Sequence, residues 1–166
     1  SHLIDQALVL FGPARRVYAE LDVRRPGVEV DDDAFVALEH ESGVRSHLYM
    51  SAVAAQLGAR MRLFGSRAAY TKYGLDMQEA ALRAGHRSDR RDLGEEPEER
   101  WGKLGAGDNL RPVRTERGDY GRLYDGVVAA IRDGAPPPVD PADAIAGLEI
   151  IEAARLSAVR GEVVTL

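Results

Sequence analysis

The chain has 166 residues, a formal net charge of −5 and no cysteine. Disulfides, thiolate nucleophiles and cysteine-ligated metals are therefore excluded, and an acidic chain has no overall attraction for nucleic acid or an anionic membrane surface. No apolar run approaches the roughly 18 residues needed to span a bilayer. An apolar fraction of 45% with 30% charged residues is ordinary for a globular domain. The length predicts one domain over residues 1–166, and a cytoplasmic setting is expected. The chain opens on Ser1 and enters a helical pattern at once, which reads as a cut through a longer chain, with Ser1 and His2 as residues left by a cleaved tag the alternative.

Leu3, Ala7, Leu8 and Phe11 recur at helical spacing, so residues 2–10 predict a helix that Gly12-Pro13 stops. Residues 15–25 alternate. Val17, Ala19, Leu21 and Val23 point one way, which predicts a strand with one buried face. Residues 34–40 and 44–54 predict a hairpin about Ser42-Gly43. A two-residue turn there sets Leu38 opposite His47 and Val36 opposite Tyr49. It gathers Val36, Leu38, His47 and Tyr49 on one face, with Phe35, Ala37, Leu48 and Met50 on the other. Both faces are partly apolar, so both are expected to be covered, one by helices and one by a surface outside the chain.

Residues 60–64 and 68–73 predict two further strands around Gly65-Ser66. A short helix follows over 77–84, ended by Gly85. Residues 86–109 are charged and aperiodic and read as a long loop anchored by Trp101, before a short strand over 111–116. Tyr120, Leu123, Tyr124, Val127, Val128 and Ile131 mark one face of a helix, with Asp119 as its N-cap and Gly134 as its end. Asp140-Pro141 is an N-cap followed by proline at the first helical position. That helix runs to about Val159, Gly161 stops it, and 162–166 is a last strand. Strands grouped between helices predict an α+β fold: an open, predominantly antiparallel sheet with helices packed on one face and a dimer interface on the other. A doubly wound nucleotide fold would alternate strand and helix instead.

Few residues form a recognisable chemical constellation. Gly105-Ala106-Gly107 is the sole approach to a dinucleotide loop, and no convincing strand precedes it. His40, His47 and His86 do not converge with carboxylates at metal-ligand spacing, so no metal is expected. Asp31-Asp32-Asp33 and the pairs Glu95-Glu96 and Glu98-Glu99 read as solvated turns. Arg87, Arg90 and Arg91 read as a surface loop with an anion grip as the alternative. His2 and Asp5 share one face of the first helix, where His2 is a candidate general acid or base.

The stretch Ser1-His2-Leu3-Ile4-Asp5-Gln6-Ala7, then Leu10-Phe11-Gly12, resembles the start of the second domain of the glucose–fructose oxidoreductase / inositol dehydrogenase / MocA family. Its first helix reads roughly Gly-x-His-x-x-Asp before Gly-Pro. Asp31-Asp32-Asp33 opens a strand in the matching place. Lys72-Tyr73-Gly74-Leu75-Asp76-Met77-Gln78-Glu79 is similar to that family's KYGLDPQE stretch, with Met77 where the family has proline. Pro138-Val139, Asp143-Ala144 and Ile150-Ile151-Glu152-Ala153-Ala154 resemble its last helix.

The resemblance implies a C-terminal, substrate-side domain of an NAD- or NADP-dependent oxidoreductase that acts by hydride transfer on a sugar, polyol or related carbonyl compound. It implies a nucleotide-binding domain outside this chain and no cofactor site within it. His2 would be the catalytic histidine, working with a lysine and an aspartate beyond Ser1. Asp5, Lys72 and Tyr73 would be substrate-side residues. The exposed sheet face, with Val36, Leu38, His47 and Tyr49, would form a homodimer. Two other readings are a non-catalytic α+β binding or dimerisation module and a small metal-dependent sugar isomerase.

Overall fold

Alternation in Ala14–Asp22 (β1) sends Val17 and Ala19 to one side, where they are 0% and 2% exposed. A computed structural model describes residues 1–86 and 93–166; Arg87, Arg90 and Arg91 lie outside the described residues. The chain divides into two compact units, residues 1–55 with 139–166 and residues 56–138.

In the first unit β1 pairs antiparallel with Asp33–His40 (β2), which pairs with Arg45–Ser51 (β3). The last strand of the chain, Val164–Thr165, pairs antiparallel with the other side of β1. The helix His2–Phe11 (α1) contributes Ile4 and Ala7 to the core, and the long helix Pro141–Arg160 contributes Ile150, Ala153 and Ala154. They meet Val17, Ala19, Val36 and Leu38 from the sheet. Each large aliphatic side chain in that set contributes about 1.5–3 kcal/mol by leaving water. The long helix begins as its sequence demands: Asp140 accepts from the Ala142 amide at 2.9 Å, Pro141 follows, and Gly161 closes it at φ 67°.

The β2–β3 hairpin differs from the expected register. Its loop is three residues, Glu41-Ser42-Gly43: the Gly43 amide donates to the His40 carbonyl and the His40 amide to the Val44 carbonyl, both at 2.9 Å. Gly43 sits at φ 83°, the left-handed residue that follows a tight turn in such loops. Leu38 therefore opposes Ser46, and Ala37 opposes His47; Val36 opposes Leu48, and Phe35 opposes Tyr49. A one-residue shift turns every β3 side chain to the opposite face relative to β2. Val36 and Leu38 are core residues under the helices, at 3% and 2% exposure. His47 and Tyr49 lie on the opposite face with Phe35, so the four residues predicted to form one interface do not share a face.

The second unit is a separate antiparallel sheet in place of an extension of the first. Met61–Phe64 (β4), Ala69–Lys72 (β5), Gly102–Ala106 (β6) and Asn109–Val113 (β7) follow one another in that order. Strand β6 lies inside the segment expected to be loop, next to a short 3-10 turn at Glu98–Arg100. Its sequence, GKLGA, hides it: Gly102 is there because a Cβ would come within 2.1 Å of the Tyr70 hydroxyl. The helix Gln78–Arg83 (α2) and the helix Gly121–Asp133 (α3) complete the unit, and Gly134 ends α3 at φ 67°. The N-cap of α3 is Tyr120 and not Asp119, which instead accepts from Arg117 at 3.1 Å. Among the described residues no helix is long and apolar enough to cross a membrane.

Candidate functional site

Helix α1 buries Ile4 and Ala7, which fixes the remaining faces. His2 and Asp5 lie in its first turn, both exposed. The Asp5 amide donates to the Ser1 carbonyl at 3.0 Å, so the helix is hydrogen-bonded from its first residues. His2 thus sits at the open end of an element whose opposite side is anchored in the core. An imidazole placed there can give or take a proton from a molecule arriving from solvent.

Lys72 is engaged differently from a substrate-side residue. Its ammonium donates to both Glu96 carboxylate oxygens at 2.7 Å, and to the Tyr73 and Arg100 carbonyls at 2.9 Å. Three N–H groups are spent on those acceptors. The pair is nearly closed off, with side chains 14% and 5% exposed. Glu96, expected in a solvated turn, is instead the hub of this unit. It also accepts from the Thr115 hydroxyl at 2.6 Å, and its carbonyl takes the Trp101 indole N–H at 2.9 Å. Burial pushes its carboxyl up, but the bonds from Lys72 and Thr115 and the charges of Lys72 and Arg100 outweigh that and hold it below the ordinary glutamate value. Tyr73, beside Lys72, is 62% exposed.

Asp76 and Gln78 of the same stretch are structural as well. Asp76 accepts from the Gln78 amide at 2.7 Å, and the Gln78 side-chain carbonyl accepts from the Tyr120 amide at 3.0 Å. Gln78 is 3% exposed beneath Gly94 and Gly118, where a Cβ would strike it. Nothing in the local pattern of the sequence marks a glutamine as buried; only its distant partners do so.

The remaining candidates resolve in the same way. Gly105 and Ala106 end β6, Gly107 turns at φ 54°, and Asn109 starts β7. That is a strand–turn–strand, with no helix N-terminus to meet a pyrophosphate, so these glycines do not fit a dinucleotide. Asp32 takes the Arg24 amide and the Arg25 guanidinium at 2.7 Å and the Arg25 amide at 3.3 Å, while Asp33 takes the Arg24 guanidinium at 3.2 Å. Those contacts hold the Asp32 carboxyl below its usual range, the Arg24 amide bond most of all. Among the described residues no three His, Asp or Glu side chains gather as a metal site. His40 is fully buried, bonded to the Gly12 carbonyl at 2.7 Å and the Ser46 hydroxyl at 2.8 Å. Because a carbonyl only accepts, Nδ1 carries the proton.

Comparison with known proteins agrees with this geometry. Residues 1–166 match the family described as "Oxidoreductase family, C-terminal alpha/beta domain". Scyllo-inositol 2-dehydrogenase (NADP(+)) IolW of Bacillus subtilis is 33% identical over 158 residues, covering 93% of this chain and 44% of its own length. The oxidoreductase YdgJ of Escherichia coli is 34% identical over 161 residues, covering 91% and 44%. The solved structure of the oxidoreductase yvaA from Bacillus subtilis superposes with a TM-score of 0.90 at 31% identity, over 99% of this chain and 49% of that one. An oxidoreductase from Bacteroides fragilis gives 0.88 at 35% identity, over 99% and 51%. The chain spans about half the length of the relatives it matches. With the match extending over all 166 residues, the chain belongs to the Gfo/Idh/MocA oxidoreductase family as its C-terminal α/β domain.

Proposed function

We propose that this chain is the substrate-binding and oligomerisation domain of a cytoplasmic NAD(P)-dependent oxidoreductase that acts on a sugar, a polyol or a related compound. The observation that carries the reading is His2, an exposed imidazole at the start of a helix anchored in the core, in a domain of an oxidoreductase family. A bound nicotinamide nucleotide would supply hydride transfer; its site would lie in residues beyond this chain, because Gly105–Gly107 forms a hairpin turn. His2 would hold the proton of the reacting substrate hydroxyl in oxidation and return it in reduction. Asp5 in the first unit and Tyr73 in the second, both exposed, remain substrate-side candidates, while Lys72 would support the fold next to Tyr73.

The outer face of the first unit's sheet is proposed as the homodimer surface. It carries Phe35 edge-on to His47, with ring centroids 5.8 Å apart, and Tyr49 at 64% exposure. Aromatic side chains of this kind supply large contact area at low entropic cost.

The substrate class is tested by assaying the full-length enzyme for NAD(P) reduction with scyllo-inositol, the substrate in the name of the Bacillus relative, alongside other polyols and aldoses. Turnover of one of them is the expected result. Failure with every polyol and sugar, under conditions in which the protein binds nicotinamide nucleotide, would remove the proposed substrate class.

A further inference from the structure

A cleft of about 790 Å³ opens in the second unit, on the face of its sheet that carries Thr71 and Lys103. That volume is in the range of small-molecule sites. Its walls hold three cations, Arg67, Arg100 and Lys103, and the carboxylate of Glu99; Arg100 is also paired with Glu96 at 3.7 Å, which leaves Arg67 and Lys103 as the excess positive charge. This concentration of positive charge stands in a chain whose net charge is −5. The Arg67 and Lys103 side chains make no hydrogen bond or ion pair with the described residues. Both are exposed to solvent on a concave surface, where field lines are focused.

The other wall is held in place. The Arg100 carbonyl is gripped by Lys72 and its amide donates to Pro97 at 3.0 Å. Its guanidinium lies across Gly74, 2.6 Å from where a Cβ would stand, and Gly74 itself sits at φ 77°, which favours glycine there. The adjacent Trp101 also lines the cleft, its ring pinned by the bond from Nε1 to the Glu96 carbonyl. The buried Lys72–Glu96 pair thus pre-positions a cation and an aromatic surface side by side, which lowers the entropic cost of binding.

We propose that this cleft binds a small organic oxyanion, a phosphate- or carboxylate-bearing molecule of sugar size, with Arg67, Arg100 and Lys103 taking the charge and Trp101 the ring. The cleft involves neither His2 nor the nucleotide; it shares with the hydride-transfer reading only Tyr73, which lines it.

Trp101 is the single tryptophan of the chain, so its fluorescence reports on the cleft directly. The 166-residue chain is titrated at constant ionic strength with inorganic phosphate, glucose 6-phosphate and glucuronate, with glucose as the uncharged control. The expected result is a saturable change with at least one of the organic anions and none with glucose. The phosphate and carboxylate arms then identify the oxyanion. Arg67→Ala and Lys103→Ala should each weaken binding about tenfold, the loss of a charge-assisted contact. Both residues are exposed, and circular dichroism verifies that the variants keep the fold. No saturable response up to about 50 mM, too weak for a built site, would overturn the proposal. So would a response reproduced by potassium chloride, or binding undiminished in the double variant.

Discussion

The Ser157 hydroxyl accepts from the Ala19 amide at 3.0 Å and donates to the Glu162 carbonyl at 2.6 Å, joining the last helix to β1 through a fully buried oxygen. Strand Val164–Thr165 pairs with β1 only at Arg16 and Val17, so Ala19 lies beyond its reach and the serine takes the place of a strand. Ser157→Ala strands a donor and an acceptor and should lower stability by about 1–3 kcal/mol. Urea unfolding measures it; an unchanged midpoint would mean water replaces the hydroxyl.

His40 ties the start of β1 to the hairpin. Its ring bridges the Gly12 carbonyl and Ser46 and stands edge-on to Phe11 at 5.5 Å. His40→Leu keeps bulk but leaves two polar groups unpartnered, at a cost of about 2–4 kcal/mol. Calorimetry should show a lower Tm, and Ser46→Ala alone should cost less.

Acid should weaken the second unit through Glu96. Its carboxyl titrates lower in the folded chain than in the unfolded one, so folding releases a proton between the two values. The stabilisation is complete above the ordinary glutamate value of about 4.3 and is lost as the pH falls through the depressed one. Glu96→Gln leaves Lys72 without its anion, costs about 3 kcal/mol at neutral pH, and flattens this acid-side slope. Unfolding midpoints that are equally pH-dependent in both proteins would assign the slope to other carboxylates.

In the full-length enzyme His2→Ala should reduce kcat by about 10²–10⁴, the range for a lost acid or base. Steady-state kinetics decide it: undiminished turnover would remove His2 from the chemistry.

The outer sheet face can be tested without activity. Tyr49→Glu places a charge beside Phe35 and His47. With the proposed homodimer, light scattering should find the wild-type protein dimeric and the variant monomeric, and a persistent dimer in the variant would move the interface elsewhere.

Local features of the sequence were legible because their causes are local. Gly12-Pro13 stops α1, Asp140-Pro141 starts the last helix and Gly161 ends it, each through backbone groups within a few residues. The alternation of Val17 and Ala19 showed which side of β1 is buried. The position of His2 at the head of a helix was equally visible. The hairpin register was not, because Ser42-Gly43 is compatible with loops of two or three residues and only the bonds between His40, Gly43 and Val44 choose. Glu96 was read as solvated because its neighbours are charged; its partners, Lys72 and Thr115, are 24 and 19 residues away.

The sequence by itself therefore determined the helices, most of their ends, most of the strands and the family, since these rest on periodicity, caps and short motifs. Tertiary structure alone decided that Val36 and Leu38 turn inward while His47 and Tyr49 face out, that β6 exists, and that Lys72 belongs to Glu96. Each of those outcomes depends on which distant group removes a side chain from water, and that is set only when the strands have paired.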